Sequence, residues 1–157
     1  MSAHDVNGRP ITILMADDDE EDCELTREAL QEARLTNEMR FVHDGQELMD
    51  YLHRARGGDD PLLAPWPGII LLDLNMPKKD GREALVEIRA DDELKRIPIV
   101  VLTTSNDEQD VLRTYNLGVN SFITKPVTFA GLVEVMQVWK RYWFEIVDLP
   151  NSHDAHD

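Results

Sequence analysis

The pattern of apolar and polar positions is most decided at residues 69–73, where Ile69, Ile70, Leu71 and Leu72 run unbroken into Asp73. A run without alternation predicts a strand covered on both faces, as in a parallel sheet. Pro77 cannot continue a ladder, so this strand is expected to end near Asp73. Residues 11–16 predict a first strand, 39–43 a second, 99–103 a fourth and 121–124 a fifth. Helical spacing fills the intervals. Cys23, Thr26, Leu30 and Ala33 mark one face of a helix over 19–34, and its acidic start suits the positive end of the helix dipole. Leu48, Tyr51 and Leu52 point inward from a helix over 46–54, and Ala84, Leu85 and Ile88 from one over 82–90. Asn106 or Asp107 is expected to cap a fourth helix that runs to Asn116 and stops at Gly118. Thr128 caps a long last helix with Leu132, Val135, Met136, Trp139 and Trp143 on one stripe.

Five strands alternating with five helices predict a doubly wound α/β sandwich with a parallel sheet of order 2-1-3-4-5. Neither a G-x-G-x-x-G turn nor a P-loop follows the first strand, so a nucleotide site is not indicated. One domain is expected over residues 10–147, between a flexible polar stretch at 1–9 and a polar tail at 148–157. Gly57, Gly58, Pro61, Pro65 and Pro67 predict a loop over 56–67. Leu62, Leu63 and Trp66 are expected to pack it back on the body.

Charge narrows the partners. Of 157 residues, 31 are Asp or Glu and 16 Lys or Arg, a formal net charge of −15. That field repels nucleic acid and anionic lipid and favours a cation or a partner with a basic face. A single cysteine, Cys23, excludes an internal disulfide and fits a reducing cytoplasm. No basic-then-apolar leader and no apolar run near ~20 residues is present, so neither secretion nor a membrane span is expected.

In this topology one edge of the sheet receives Asp17 and Asp18 from strand one, Asp73 from strand three, Thr103 from strand four and Lys125 from strand five. Carboxylates gathered so closely repel unless a cation sits among them. Their oxygens suit Mg²⁺, a hard ion held by a few carboxylates and several waters. A carboxylate, a metal, a hydroxyl and an ammonium together point to phosphoryl transfer, which is largely positioning and charge neutralisation. Asp73 is the candidate nucleophile, with Lys125, Thr103 and the metal each taking a phosphoryl oxygen. Taken singly, Asp17 and Asp18 also read as dipole caps, Thr103 as a structural hydroxyl and Lys125-Pro126 as uninformative; the conjunction carries the chemistry.

The motifs Asp17-Asp18-Asp19, Leu72-Asp73-Leu74-Asn75-Met76-Pro77, Asp80-Gly81, Leu102-Thr103-Thr104 and Thr124-Lys125-Pro126 resemble the receiver domain of two-component response regulators, across about residues 10–145. The resemblance implies a flavodoxin-like fold and Asp73 as phosphoacceptor. It implies Mg²⁺ held by Asp17, Asp18, Asp73 and the Asn75 carbonyl, with Asp18 binding directly and Asp17 through water. It implies Thr103 and Phe122 as switch residues, Lys125 as phosphate-binding lysine and a cis Lys125-Pro126 bond. The stretch at 21–30, the long loop and the Trp-rich last helix resemble the stand-alone receivers that partner phytochrome histidine kinases. One departure is Ala16-Asp17, where that subgroup often has Val-Glu. The resemblance thus implies a phosphoacceptor rather than an enzyme, which takes its phosphoryl group from a histidine kinase and passes the signal to a phosphotransfer or target protein through the face of helix four, strand five and helix five.

Two other readings compete. A haloacid-dehalogenase-like phosphatase also uses a strand-end Asp with Mg²⁺, but needs an acid where Asn75 stands. A pseudo-receiver that binds without phosphorylation would not need every acceptor-site residue. Finally, Phe129, Val133, Tyr142, Ile146 and Val147 lie off the inward stripe of the last helix, which predicts a homodimer through this helix.

Overall fold

A computed structural model of the chain describes residues 11–58, 61–104 and 108–142. Strands β1 (Thr12–Ala16), β2 (Met39–Val42), β3 (Pro67–Leu72), β4 (Ile99–Thr103) and β5 (Ser121–Thr124) form one parallel sheet of order β2-β1-β3-β4-β5. Helices α1 (Glu20–Glu32), α2 (Gly45–Ala55), α3 (Gly81–Arg89), α4 (Glu108–Asn116) and α5 (Phe129–Lys140) alternate with the strands. The expected fold class and strand order are both observed.

The sheet divides two cores. Ile13, Met15, Ile69, Leu71, Val100 and Leu102 turn toward one, where Leu30, Met136 and Trp139 of α1 and α5 meet them. Leu14, Ile70, Leu72, Ile99 and Val101 turn toward the other, against Leu48 and Leu52 of α2 and Leu85 and Ile88 of α3. Because successive side chains alternate across a strand, only an unbroken apolar run can serve both cores. Every residue of β1, β3 and β4 is buried.

Several sequence expectations shift. β3 begins at Pro67, two residues earlier than expected, because a proline is tolerated at the first position of a strand. Leu62 and Leu63 do not pack on the body; they are 82% and 64% exposed. The loop is instead tied by its main chain. Arg40 donates to the Leu62 carbonyl at 2.8 Å, and the Tyr51 hydroxyl to the Pro65 carbonyl at 2.6 Å. Ala64 is buried, Trp66 partly so, and Arg56–Gly58 forms a 3-10 turn. A second such turn, Leu94–Arg96, interrupts the stretch before β4. Tyr51 packs against the second core as expected but is only half-buried, because its hydroxyl reaches the loop; Met49 is buried there as well. Val135 is likewise half-buried, while Leu132, Met136 and Trp139 are inside. The peptide bond between Lys125 and Pro126 is trans; an X-Pro bond prefers trans by about 0.5–1 kcal/mol, and the fold accommodates it here. The expected cap at Asn106 or Asp107, the positions of Trp143, Ile146 and Val147, the 1–9 stretch and the tail lie outside the described residues.

Two glycines shape the turn after β3. A Cβ on Gly45 would sit 2.0 Å from the Lys79 carbonyl oxygen, and one on Gly81 would sit 2.3 Å from that of Asp73. Backbone passes where a side chain cannot, so the turn carrying Asn75 is clamped between the starts of α2 and α3. The Gly45 N–H donates to Lys79 at 2.7 Å and the Gly81 N–H to Leu74 at 2.9 Å.

Candidate phosphoacceptor site

Each strand-end side chain is placed by the ladder behind it. The Asp17 N–H donates to the Val42 carbonyl at 3.0 Å, the Asp73 N–H to Ala16 at 2.9 Å and the Lys125 N–H to Thr103 at 2.7 Å. Residues far apart in the chain therefore arrive at one edge with their backbones fixed. Asp19 caps α1, accepting from the Glu21 N–H at 2.9 Å and the Asp22 N–H at 3.3 Å. The first turn of the helix thereby swings Asp22 over the same edge.

The Thr103 hydroxyl donates to Asp73 Oδ1 at 2.7 Å, and Lys125 Nζ donates to Asp73 Oδ2 at 3.1 Å. Each oxygen of Asp73 thus faces a different donor. Lys125 Nζ also bonds Asp17 Oδ2 and, at 2.9 Å, Asp22 Oδ2. Asp17 accepts at its other oxygen from the Asp19 N–H at 3.0 Å. Asp17 is fully buried and Asp73 nearly so, whereas Asp18 is exposed. The Asn75 N–H donates to Asp73 Oδ1 at 3.1 Å.

Burial pushes the Asp17 carboxyl up to about 6, against the pull of its bond to Lys125. Burial would lower the Lys125 ammonium, but its bonds to Asp17 and Asp22 and the charge of Asp73 outweigh that and raise it. Lys125 therefore stays protonated at neutral pH.

Asp17, Asp18 and Asp73 each offer an oxygen within 4.8 Å of the others. One ammonium does not balance these carboxylates together with Asp22, and an all-oxygen set with an exposed member suits a hard divalent ion that keeps water. The donor set fits Mg²⁺ or Mn²⁺.

The structure brings Asp17, Asp18, Asp73, Thr103 and Lys125 together, with Asn75 at the rim. Phe122 stands apart, on the sheet face that Thr103 shares. It is opposite Val101, partly buried, and its N–H donates to the Tyr115 hydroxyl at 3.2 Å. Sequence reasoning missed Asp22 as a partner of Lys125. The signal was its place three residues after the capping Asp19, which turns it back toward the strand end.

The groove between β5 and α5 has a volume of about 660 Å³ and is lined by Tyr115, Phe122, Ile123, Val138 and Tyr142 among others. Tyr115 of α4 and Val138 and Tyr142 along it are exposed. No helix among the described residues is long and apolar enough to cross a membrane.

Residues 13–137 match the response regulator receiver domain. The chain is 40% identical over 146 residues to the response regulator Rcp1 of Synechocystis sp., covering 93% of this chain and 97% of that one. It is similar to the crystal structure of the phosphorylated cyanobacterial phytochrome response regulator RcpA. There the TM-score is 0.80 and the identity 40%, with 90% of this chain and 99% of that one covered. The Mn²⁺-bound form of Rcp1 gives a TM-score of 0.79 at 42% identity, over 90% of this chain and 100% of that one. The chain belongs to the response regulator receiver domain family of two-component signalling proteins, within which it is similar to the phytochrome response regulators.

Proposed function

We propose that the chain is a phosphorylation switch in which Asp73 accepts a phosphoryl group from a histidine kinase of the phytochrome type. The observation that carries this reading is the pair of donors at Asp73: a hydroxyl at one oxygen and an ammonium at the other, on a carboxylate nearly removed from water. An Asp73 oxygen attacks phosphorus, the bond from phosphorus to the kinase imidazole nitrogen breaks, and the imidazole keeps that electron pair and takes up a proton. Lys125 and Thr103 are the donors that meet the incoming oxygens, and both are in place beforehand, so little reorganisation is needed. Asp17, Asp18, Asp73 and the Asn75 carbonyl are the residues to hold Mg²⁺, which supplies charge neutralisation on the transferred group when bound. Self-catalysed phosphotransfer from small donors and self-dephosphorylation follow from the same arrangement.

The receiver occupies residues 10–147, works in the cytoplasm and binds neither nucleic acid nor membrane. Its output face is α4, β5 and α5. Once phosphorylated, the Thr103 hydroxyl turns from the carboxylate to the phosphoryl group, and Phe122 moves into the space it leaves. The signal passes to a phosphotransfer or target protein. A second copy is the occupant of the groove beside Tyr142 and Val138, because Tyr is a favoured anchor and the exposed apolar side chains there are contiguous. With −15 on each chain, this dimer should tighten as salt rises.

Intact-mass measurement after acetyl phosphate with Mg²⁺ is the test. One phosphoryl group should appear on the wild type and none on Asp73→Asn; equal labelling of the variant would sink the assignment. Sedimentation of wild type and Tyr142→Asp tests the dimer. A wild-type monomer at high micromolar concentration, phosphorylated or not, would end that part alone.

A further inference from the structure

Arg82 follows Gly81 in the first turn of α3, and its guanidinium is shared between two parts of the fold. Nε donates to Asp110 Oδ1 at 2.6 Å and Nη2 to Asp110 Oδ2 at 2.5 Å, a two-pronged pair with α4. Nη1 turns toward the segment just after Asp73. It reaches the Leu74 carbonyl and Asn75 Oδ1, each at 3.4 Å. The Asp80 carboxylate lies 3.7 Å from the same nitrogen. The Arg82 and Asp110 side chains are 23% and 15% exposed, so water screens the pair only in part. A guanidinium is a rigid plane. Any displacement of Asp110 that keeps the fork therefore turns Nη1 as well, and with it the hold on Asn75.

Asn75 is exposed, two residues beyond Asp73, and its own N–H is bonded to Asp73 Oδ1. Its side chain thus stands at the solvent mouth of the acceptor carboxylate. We infer that Arg82 is a positioning residue that holds the Asn75 side chain across this mouth, and that Asp110 on α4 sets how firmly it does so. The inference rests on Asp73 as phosphoacceptor. Loss of the phosphoryl group requires water to attack phosphorus, with the bond to the Asp73 oxygen breaking. The products are the Asp73 carboxylate and dihydrogen phosphate, both protons coming from that water. A held Asn75 covers the approach of that water, and a released one uncovers it. Since α4 belongs to the proposed output face, a partner that shifts α4 changes the lifetime of the phosphoryl group. By linkage, the state of the acceptor segment changes the affinity for that partner.

Two readouts test this on the full chain, with Arg82→Ala, Asp110→Asn and the double variant. The first is the position of the Asn75 side-chain amide signals in the ¹⁵N NMR spectrum of the unphosphorylated protein. Both single variants should move these signals in the same direction, and the double variant should add nothing. The second is the decay of the acetyl-phosphate-derived label by intact mass. Its lifetime should shorten at least threefold in each single variant, with no further loss in the double variant, while Arg82→Lys recovers less than half of the difference. Unmoved Asn75 signals overturn the inference whether or not the protein accepts phosphate. So do lifetimes equal to or longer than that of the wild type, or an effect of Arg82→Ala that Asp110→Asn does not share. A wild type that takes no label sinks the phosphoacceptor reading and, with it, the consequence for lifetime, and the NMR arm then decides the positioning role.

Discussion

β3 and β5 both end at the same cluster of side chains, but they are built for different purposes. β3 has six residues, all buried, with β1 on one side and β4 on the other. β5 has four, none fully buried, and lies at the edge of the sheet with only β4 beside it. Asp73 at the end of β3 inherits a backbone that cannot move without disturbing both cores. Phe122 in β5 has room on one side and a groove beside it. Place in the sheet, more than residue type, separates the fixed position of the proposed acceptor from the strand proposed to respond.

The largest test of this contrast is one of stability. Ile70→Ala in β3 removes a fully buried side chain between β1 and β4 and should cost about 3–4 kcal/mol. Ile123→Ala in β5, half-buried, should cost about 1–2 kcal/mol. Urea unfolding followed by circular dichroism measures both, and equal losses would erase the distinction between centre and edge.

A smaller effect is expected where the two strands communicate. Thr103→Ala removes the hydroxyl from Asp73 Oδ1 and should cost on the order of 1 kcal/mol. The variant should still take up phosphate, because the Asp73 nucleophile and Lys125 remain. Its β5 and α5 NMR signals should stay near their unphosphorylated positions, whereas those of the wild type move. Identical shifts in the two proteins would mean that the response does not run through this hydroxyl.

The smallest effect concerns Cys23, buried under the fixed end of the sheet with its thiol 3.7 Å from the Asp17 carbonyl. Burial pushes this thiol up to about 12, with the charge of Asp17 adding to it. Only the thiolate reacts, so at pH 8 the folded protein should be labelled by iodoacetamide about a thousandfold more slowly than a free thiol. The sign for stability follows from the same shift. Well below pH 9 the thiol is neutral folded or unfolded. As pH climbs toward 12 the unfolded chain ionises first, so this group's contribution to stability falls. Rapid labelling of the native protein at pH 8 would show that the fixed end opens readily.

The parts of this molecule legible in its sequence are those set by local pattern. The runs at β1, β3 and β4 are unbroken because two cores claim alternate residues, and such runs have few other readings. Asp17, Asp18, Asp73, Thr103 and Lys125 could be placed at one edge because each ends a strand or follows one within two residues, and topology does the rest. What was not legible depends on reach across space. Leu62 and Leu63 are apolar, but the loop is held by Arg40 and Tyr51 through its carbonyls, which leaves the two leucines outside. Asp22 looked like one more acid at a helix start, although the Asp19 cap orients it onto a lysine 103 residues away. The fork from Arg82 to Asp110 spans 28 residues and gives no periodic signal at all.

The tied loop before β3 also has a use in engineering the protein. It enters the sheet at the N-terminal end of β3, whereas Asp73 follows the C-terminal end, about 20 Å away at the rise of a strand. Leu62 and Leu63 stand in solvent between two anchored points, the Tyr51 bond on one side and the end of α2 on the other. Doubling the length of a flexible loop costs only ~0.6 kcal/mol in closure entropy. A reporter domain spliced between these two leucines would give up the Arg40 bonds to their carbonyls but keep the Tyr51 tie, and it would ride on the receiver about a strand's length from the cluster at Asp73, a seam for building a light-readable sensor of the proposed phosphorylation.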